Sequence, residues 1–209
     1  MKRNLIAFAA VVTVAVVTQA RAADVVDKWV SVKAPPAPEV KAVTLDPKTT
    51  ALLVFDMTKV ICSQRFAHCP GTIPVVKKLI AEARDNRMLV VFTSTTVPNV
   101  PKSEIWPDVA PLENEPFFQG SLDKFLHSDL EKILTEKGIK TIVTVGVAAQ
   151  GAVIMTGSEA ALRGLNVVVP VDAISAQDDY NEQYVVWHLS HAPAIGPRTT
   201  LTRSNLIKF

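Results

Sequence analysis

The stretch from Thr141 to Ala173, TIVTVGVAAQGAVIMTGSEAALRGLNVVVPVDA, constrains the fold more than any other part of the chain. Ile142, Val143, Val145 and Val147 make a short apolar, β-branched run, the pattern of a buried parallel strand. Val153, Ile154, Ala160, Ala161 and Leu162 then recur at mixed three- and four-residue spacing, as on a helix with one buried face. Gly164 is placed to end that helix, and Leu165 to Val171 is a second apolar run closed by Asp172. This is a βαβ unit, whose crossover is almost always right-handed. Small residues fill the strand-to-helix junction, Ala148 and Ala149 among them. In an open α/β sheet ligands bind at the carboxyl ends of the strands, which makes these two candidate substrate-binding positions. The same residues also suit a tight packing corner with no ligand.

The chain opens with Lys2 and Arg3, an apolar core from Leu5 to Val17, and Ala20-Arg21-Ala22. That is the composition of a signal peptide over 1–22, cut after Ala22, and its apolar core is too short to span a bilayer. The expected location is the periplasm or outside the cell. No later segment is long and apolar enough to cross a membrane, so no span is expected after cleavage. Residues 1–22 carry three of the 22 basic residues and no acid, leaving 19 basic against 20 acidic, a formal charge of −1. With no Lys/Arg cluster to track phosphates, nucleic acid is not expected as a partner. Residues 23–47 read as a proline-rich lead-in, and 48–209 as one α/β domain.

Within that domain TALLVFD, Thr50 to Asp56, is the first core strand, and its closing acid is a candidate site residue. Pro74 to Arg87 is an amphipathic helix and Met88 to Thr93 the next strand. Val97 to Phe118 reads as a long loop with five prolines, and loops of that length are usually functional. Trp106, Phe117 and Phe118 either line a pocket there or pin the loop to the body. Ser128 to Lys137 is a helix, a further one carries His188 and His191, and Thr199 to Leu201 is a last edge strand. The fold class is a three-layer α/β/α sandwich with a mainly parallel, doubly wound sheet, Rossmann-like in appearance. There is no G-x-G-x-x-G, so no dinucleotide is implied. No cofactor and no metal are expected.

The quoted segments resemble the isochorismatase-like hydrolase (cysteine hydrolase) superfamily. Asp56-Met57 after ALLVF fits its catalytic-Asp strand. Gly146, Val147, Val153, Gly164 and Asp172-Ala173 fit its nucleophile segment, and Phe125, Ser128 and Leu130 fit the segment that follows its lysine. The resemblance implies an isochorismatase-like topology, a small-molecule substrate and a homo-oligomer. It also implies a catalytic triad of Asp, Lys and Cys, in which Asp56 is matched, the lysine falls on Gln119 and the cysteine falls on Ala152. Lys124 lies five residues out of register and is not assigned the lysine's role. Alanine has no lone pair to attack with, so covalent thiol catalysis is excluded at this site. One chemistry of the superfamily survives that loss. Isochorismatases hydrolyse a vinyl ether, with an Asp protonating the alkene carbon and water adding to the cation. Asp56 is therefore expected to act as general acid/base in an exported hydrolase, with a catalytically silent binding protein as the alternative. Lys59 and Arg65 are candidate substrate-binding cations in the loop after Asp56.

The only two cysteines are Cys62 and Cys69. An even count in an exported chain points to a disulfide. The competing readings are a displaced nucleophile at Cys62 and a zinc site with His68.

Overall fold

The computed structural model describes residues 22–62, 66–96 and 98–209. Arg65 and all of the proposed signal peptide except Ala22 lie outside the described residues. The chain divides into two compact units, one ending at Pro36 and the other running from Ala37 to Phe209. The described part of the first holds a single 3-10 turn, Trp29–Ser31. The lead-in expected over 23–47 is therefore divided: its second half belongs to the larger unit. Strand β1 (Val43–Thr44) pairs in parallel with β9 (Ile207–Lys208), and Leu45 is buried.

The main sheet is built from β2 (Thr50–Phe55), β3 (Leu89–Thr95), β4 (Phe117–Gly120), β5 (Thr141–Val147), β6 (Asn166–Pro170) and β8 (Thr199–Thr202). Their order is β4-β3-β2-β5-β6-β8, with every pairing parallel, and the short β7 (Ile174–Ser175) pairs with the end of β5. From β2 the chain first moves outward through β3 to β4, then returns to the other side of β2 as β5. The sheet thus has its topological switch point between β2 and β5, where an open α/β sheet forms its ligand crevice.

Right-handed crossovers of opposite direction place helices on opposite faces. Helix α1 (Cys69–Asp85) packs Val76, Leu79 and Ile80 against Val54, Phe92 and Val145 on one face. Helices α2 (Leu130–Glu136), α3 (Ile154–Leu162) and α4 (Asp179–His191) pack against Leu53, Phe55, Ile142 and Val167 on the other. Strands buried on both faces need unbroken apolar runs, and all six residues of β2 are buried. The three-layer α/β class is as expected. Two local expectations are corrected. Helix α1 begins at Cys69 rather than Pro74, because Pro70 occupies the first turn, where a missing N–H costs nothing. The segment expected as loop to Phe118 ends in β4, an edge strand in register with Phe92–Thr95.

Cys62 and Cys69 form a disulfide, with Cα atoms 5.0 Å apart. No described cysteine is free, which removes both competing readings of this pair. The bond closes a loop of about eight residues, worth ~2–3 kcal/mol by chain entropy. Replacing both cysteines by alanine is expected to lower the urea-unfolding free energy by about that amount, and reductant is then expected to have no further effect on the variant.

Candidate active site

Asp56 follows the last residue of β2, at the switch point. Its φ is +51°, a left-handed conformation that Asp tolerates better than most residues. This breaks the strand's alternation. The carboxylate meets Thr93, which stands two residues after Val91 of the α2–α4 face. Thr93 Oγ1 donates to Asp56 Oδ1 at 2.7 Å, and the Asp56 N–H donates to the Thr93 carbonyl at 3.2 Å.

The cation on Asp56 is Lys124. Its Nζ donates to Oδ1 at 2.9 Å and to Oδ2 at 2.8 Å, and its side chain is wholly buried. Lys124 lies on the irregular segment between β4 and α2. Thr156 of α3 fixes that segment: its Oγ1 accepts the Lys124 N–H at 3.0 Å and donates to the Leu122 carbonyl at 3.3 Å. Gly120 leaves room for the lysine stem, since a Cβ there would stand 3.3 Å from Lys124 Cδ. Burial pushes the Asp56 carboxyl up from its ordinary value, against the pull of the Lys124 charge and of the hydrogen bonds from Lys124 and Thr93.

The assignment of the lysine position to Gln119 is corrected. In register Gln119 pairs with Ser94 and Phe118 with Thr93, so the pleat turns Gln119 to the face opposite Thr93. The Gln119 amide donates to Asn99 Oδ1 at 2.6 Å and to the Val100 carbonyl at 2.8 Å. The expectation of no lysine beside Asp56 falls with it. Lys124 is missed by the motif spacing because it lies five residues closer to Phe125 than the superfamily's lysine column, which falls on Gln119. The matches at Phe125 and Ser128 are what place that column on Gln119, so the motif carries no signal for Lys124.

Ala152 is buried in one cluster with Phe55 and Phe125, the chain neighbours of Asp56 and Lys124. It lies in the π-helical turn Ala149–Val153 that leads from β5 into α3. Gly146 lets β5 close on β2: its φ is +105°, and a Cβ there would lie 2.3 Å from the Phe55 carbonyl oxygen. The next peptide bond but one, Val147–Ala148, is cis. Ala149 is buried and Ala148 half-buried at this junction. Trp106 is half-buried on the α1 face, and its N–H donates to the Met57 carbonyl at 2.8 Å. With the Thr58–Ile105 bridge, this fastens the proline-rich loop beside the Asp56 turn. Phe118 is half-buried against the opposite core cluster, and Lys59 is exposed. His188 and His191 are not gathered into one site. His188 Nε2 lies 3.4 Å from Ser158 Oγ, while the His191 ring stacks on Trp187 with centroids 3.5 Å apart.

A doubly wound parallel sheet with a buried carboxylate–ammonium pair at its switch point defines an α/β protein of the open-sheet class. The isochorismatase domain model matches residues 50–200, and the chain belongs to the isochorismatase family of hydrolases. Solved structures agree in fold. An isochorismatase family protein from Burkholderia thailandensis matches with a TM-score of 0.68 at 21% identity, over 80% of this chain and 97% of that one. A cysteine hydrolase from Pseudomonas syringae pv. phaseolicola matches with a TM-score of 0.69 at 18% identity, over 81% and 95%. N-carbamoylsarcosine amidase from Thermoplasma acidophilum matches with a TM-score of 0.65 at 23% identity, over 75% and 97%. No curated protein matches the chain by sequence. Among the described residues no helix is long and apolar enough to cross a membrane.

Proposed function

We propose that this protein is an exported hydrolase of a small molecule, with Asp56 as general acid/base, Lys124 as a fixed cation and no covalent thiol step. The buried Asp56–Lys124 pair carries the reading. Isolating two charges from water is costly, and a carboxyl whose proton affinity is raised by burial is suited to giving up and retaking a proton. Ala152 takes the place of the superfamily's cysteine, and the two cysteines of the chain are joined to each other.

Vinyl ether hydrolysis needs only these parts. The Asp56 carboxyl gives its proton to the terminal alkene carbon, whose π electrons form the new C–H bond. The ether oxygen stabilises the resulting cation, and Lys124 stabilises the carboxylate left behind. Water adds to the cation and returns a proton to Asp56. The hemiketal then breaks its C–O bond, giving a carbonyl compound and an alcohol. Trp106 and Phe118 would border the substrate, and the chain would act as a homo-oligomer in the periplasm or outside the cell. N-terminal sequencing of protein recovered from the periplasm is expected to begin at Ala23.

The second reading, an inactive small-molecule-binding protein, is favoured by one observation, the alanine at position 152. Because Lys124 already pairs with Asp56, one substitution rebuilds the superfamily's triad. Ala152→Cys is expected to acquire amidase or esterase activity on small activated substrates. Adding Lys124→Met is expected to reduce that activity at least ~100-fold. An Ala152→Cys protein that folds and stays silent while its thiol reacts with small alkylating reagents would count against an open catalytic crevice.

A further inference from the structure

Outside this site, one cluster of side chains joins parts of the chain distant in sequence. His68 immediately precedes α1, while Asp179 and Glu182 lie in the first turn of α4. One ligand atom from each lies within 4.8 Å of the others. His68 Nδ1 is 3.8 Å from Asp179 Oδ1 and 3.6 Å from Glu182 Oε1, too long for hydrogen bonds. Donors that share a cation at ~2.0–2.2 Å stand roughly 3.0–3.5 Å apart at tetrahedral or octahedral angles, so a small inward movement closes this trio on an ion.

We infer that His68, Asp179 and Glu182 form a binding site for a zinc-like divalent cation. The three groups are held from both sides. His68 is next to Cys69, which the disulfide fixes. Glu182 Oε1 also accepts the Ala176 N–H at 3.0 Å, which orients the carboxylate as an outer partner orients a metal ligand. Asp178 caps α4 by accepting the Asn181 N–H at 2.8 Å, which fixes the turn that presents Asp179 and Glu182. Two carboxylates balance the charge of a divalent ion. One imidazole nitrogen with two carboxylate oxygens suits zinc better than calcium or magnesium, which take oxygen ligands. Asp179 is almost fully exposed and His68 about half, so water completes the shell. The bound ion would tie the start of α1 to the start of α4.

The test is calorimetric titration of zinc chloride into untagged, oxidised, chelator-treated protein in a non-coordinating buffer. The inference expects one zinc per chain and no calcium binding at the same concentrations. His68→Ala and Glu182→Gln are each expected to weaken zinc binding at least about tenfold, while the His188→Ala/His191→Ala double variant keeps it. No zinc uptake by the wild type, or unchanged affinity in His68→Ala, would overturn the inference. So would loss of binding in the His188/His191 variant with retention in Glu182→Gln.

Discussion

Lys124→Met is expected to destabilise the protein by about 3–5 kcal/mol near neutral pH, because it leaves Asp56 buried without its cation. The loss is pH-dependent, and its sign follows from the direction of the Asp56 shift. The folded-state pKa is raised above the ordinary 3.8, so the contribution of Asp56 to stability is full below that value and declines as pH rises through the folded-state pKa. Removing the ammonium removes an influence that lowers this pKa, so the variant is shifted further in the same direction. Its deficit against wild type should therefore widen as pH rises from about 4 to about 8, and shrink in acid where the carboxyl is neutral. Urea unfolding across that range measures it. Asp56→Asn/Lys124→Met, which leaves no buried charge, is expected to recover part of the loss. A deficit independent of pH would show that packing, rather than charge, is what Lys124 supplies.

Gly146→Ala is expected to be comparably severe. The added methyl would meet the Phe55 carbonyl oxygen at 2.3 Å, a backbone atom with no rotamer to yield, at a residue whose φ is +105°. Strain at a positive φ costs about 1–3 kcal/mol and overpacking about as much again. The penalty falls where β2 and β5 meet, so displacement of Asp56 from the β5–α3 junction is expected even in molecules that stay folded. Thermal unfolding gives the stability loss. Gly164→Ala is the control, since its φ is also positive but nothing lies within 4 Å of its added Cβ. That variant is expected to pay the strain alone.

The elements that can be read from the sequence are those whose burial is continuous along the chain. β2, β5 and β6 are predominantly apolar and buried almost throughout, and the Gly164 turn punctuates the crossover between the last two. Asp56 was legible because it closes such a run. What escaped reading depends on partners far away in the chain. β4 has four residues and ends in glycine, so it carries too short a pattern, and its strand character comes from pairing with β3. β1 has two residues and is a strand only because the C-terminal segment lies beside it. Lys124 is the instructive miss. Lysine is among the residues least often buried, and Lys124 is buried only because a carboxylate 68 positions away receives it. Gln119 matched the column by counting residues, but the pleat sends it to the other face of the sheet.

That correction changes the chemistry available to the site. A carboxyl alone in an apolar pocket would stay neutral after taking up a proton and would resist giving it back. With Lys124 donating to both oxygens, an Asp56 carboxylate keeps a fixed counter-charge, which the proposed acid-then-base cycle requires.

The most direct measurement is hydrolysis of small vinyl ethers in deuterated water by purified wild-type protein and by Asp56→Asn, with products analysed by mass spectrometry and proton NMR. Turnover by the wild type is expected to leave one solvent deuteron on the former alkene carbon and to fall at least ~100-fold in a folded Asp56→Asn variant. Turnover undiminished in Asp56→Asn, product carrying no deuteron on that carbon, or no turnover by a wild-type protein that still binds these ethers would contradict the acid role of Asp56.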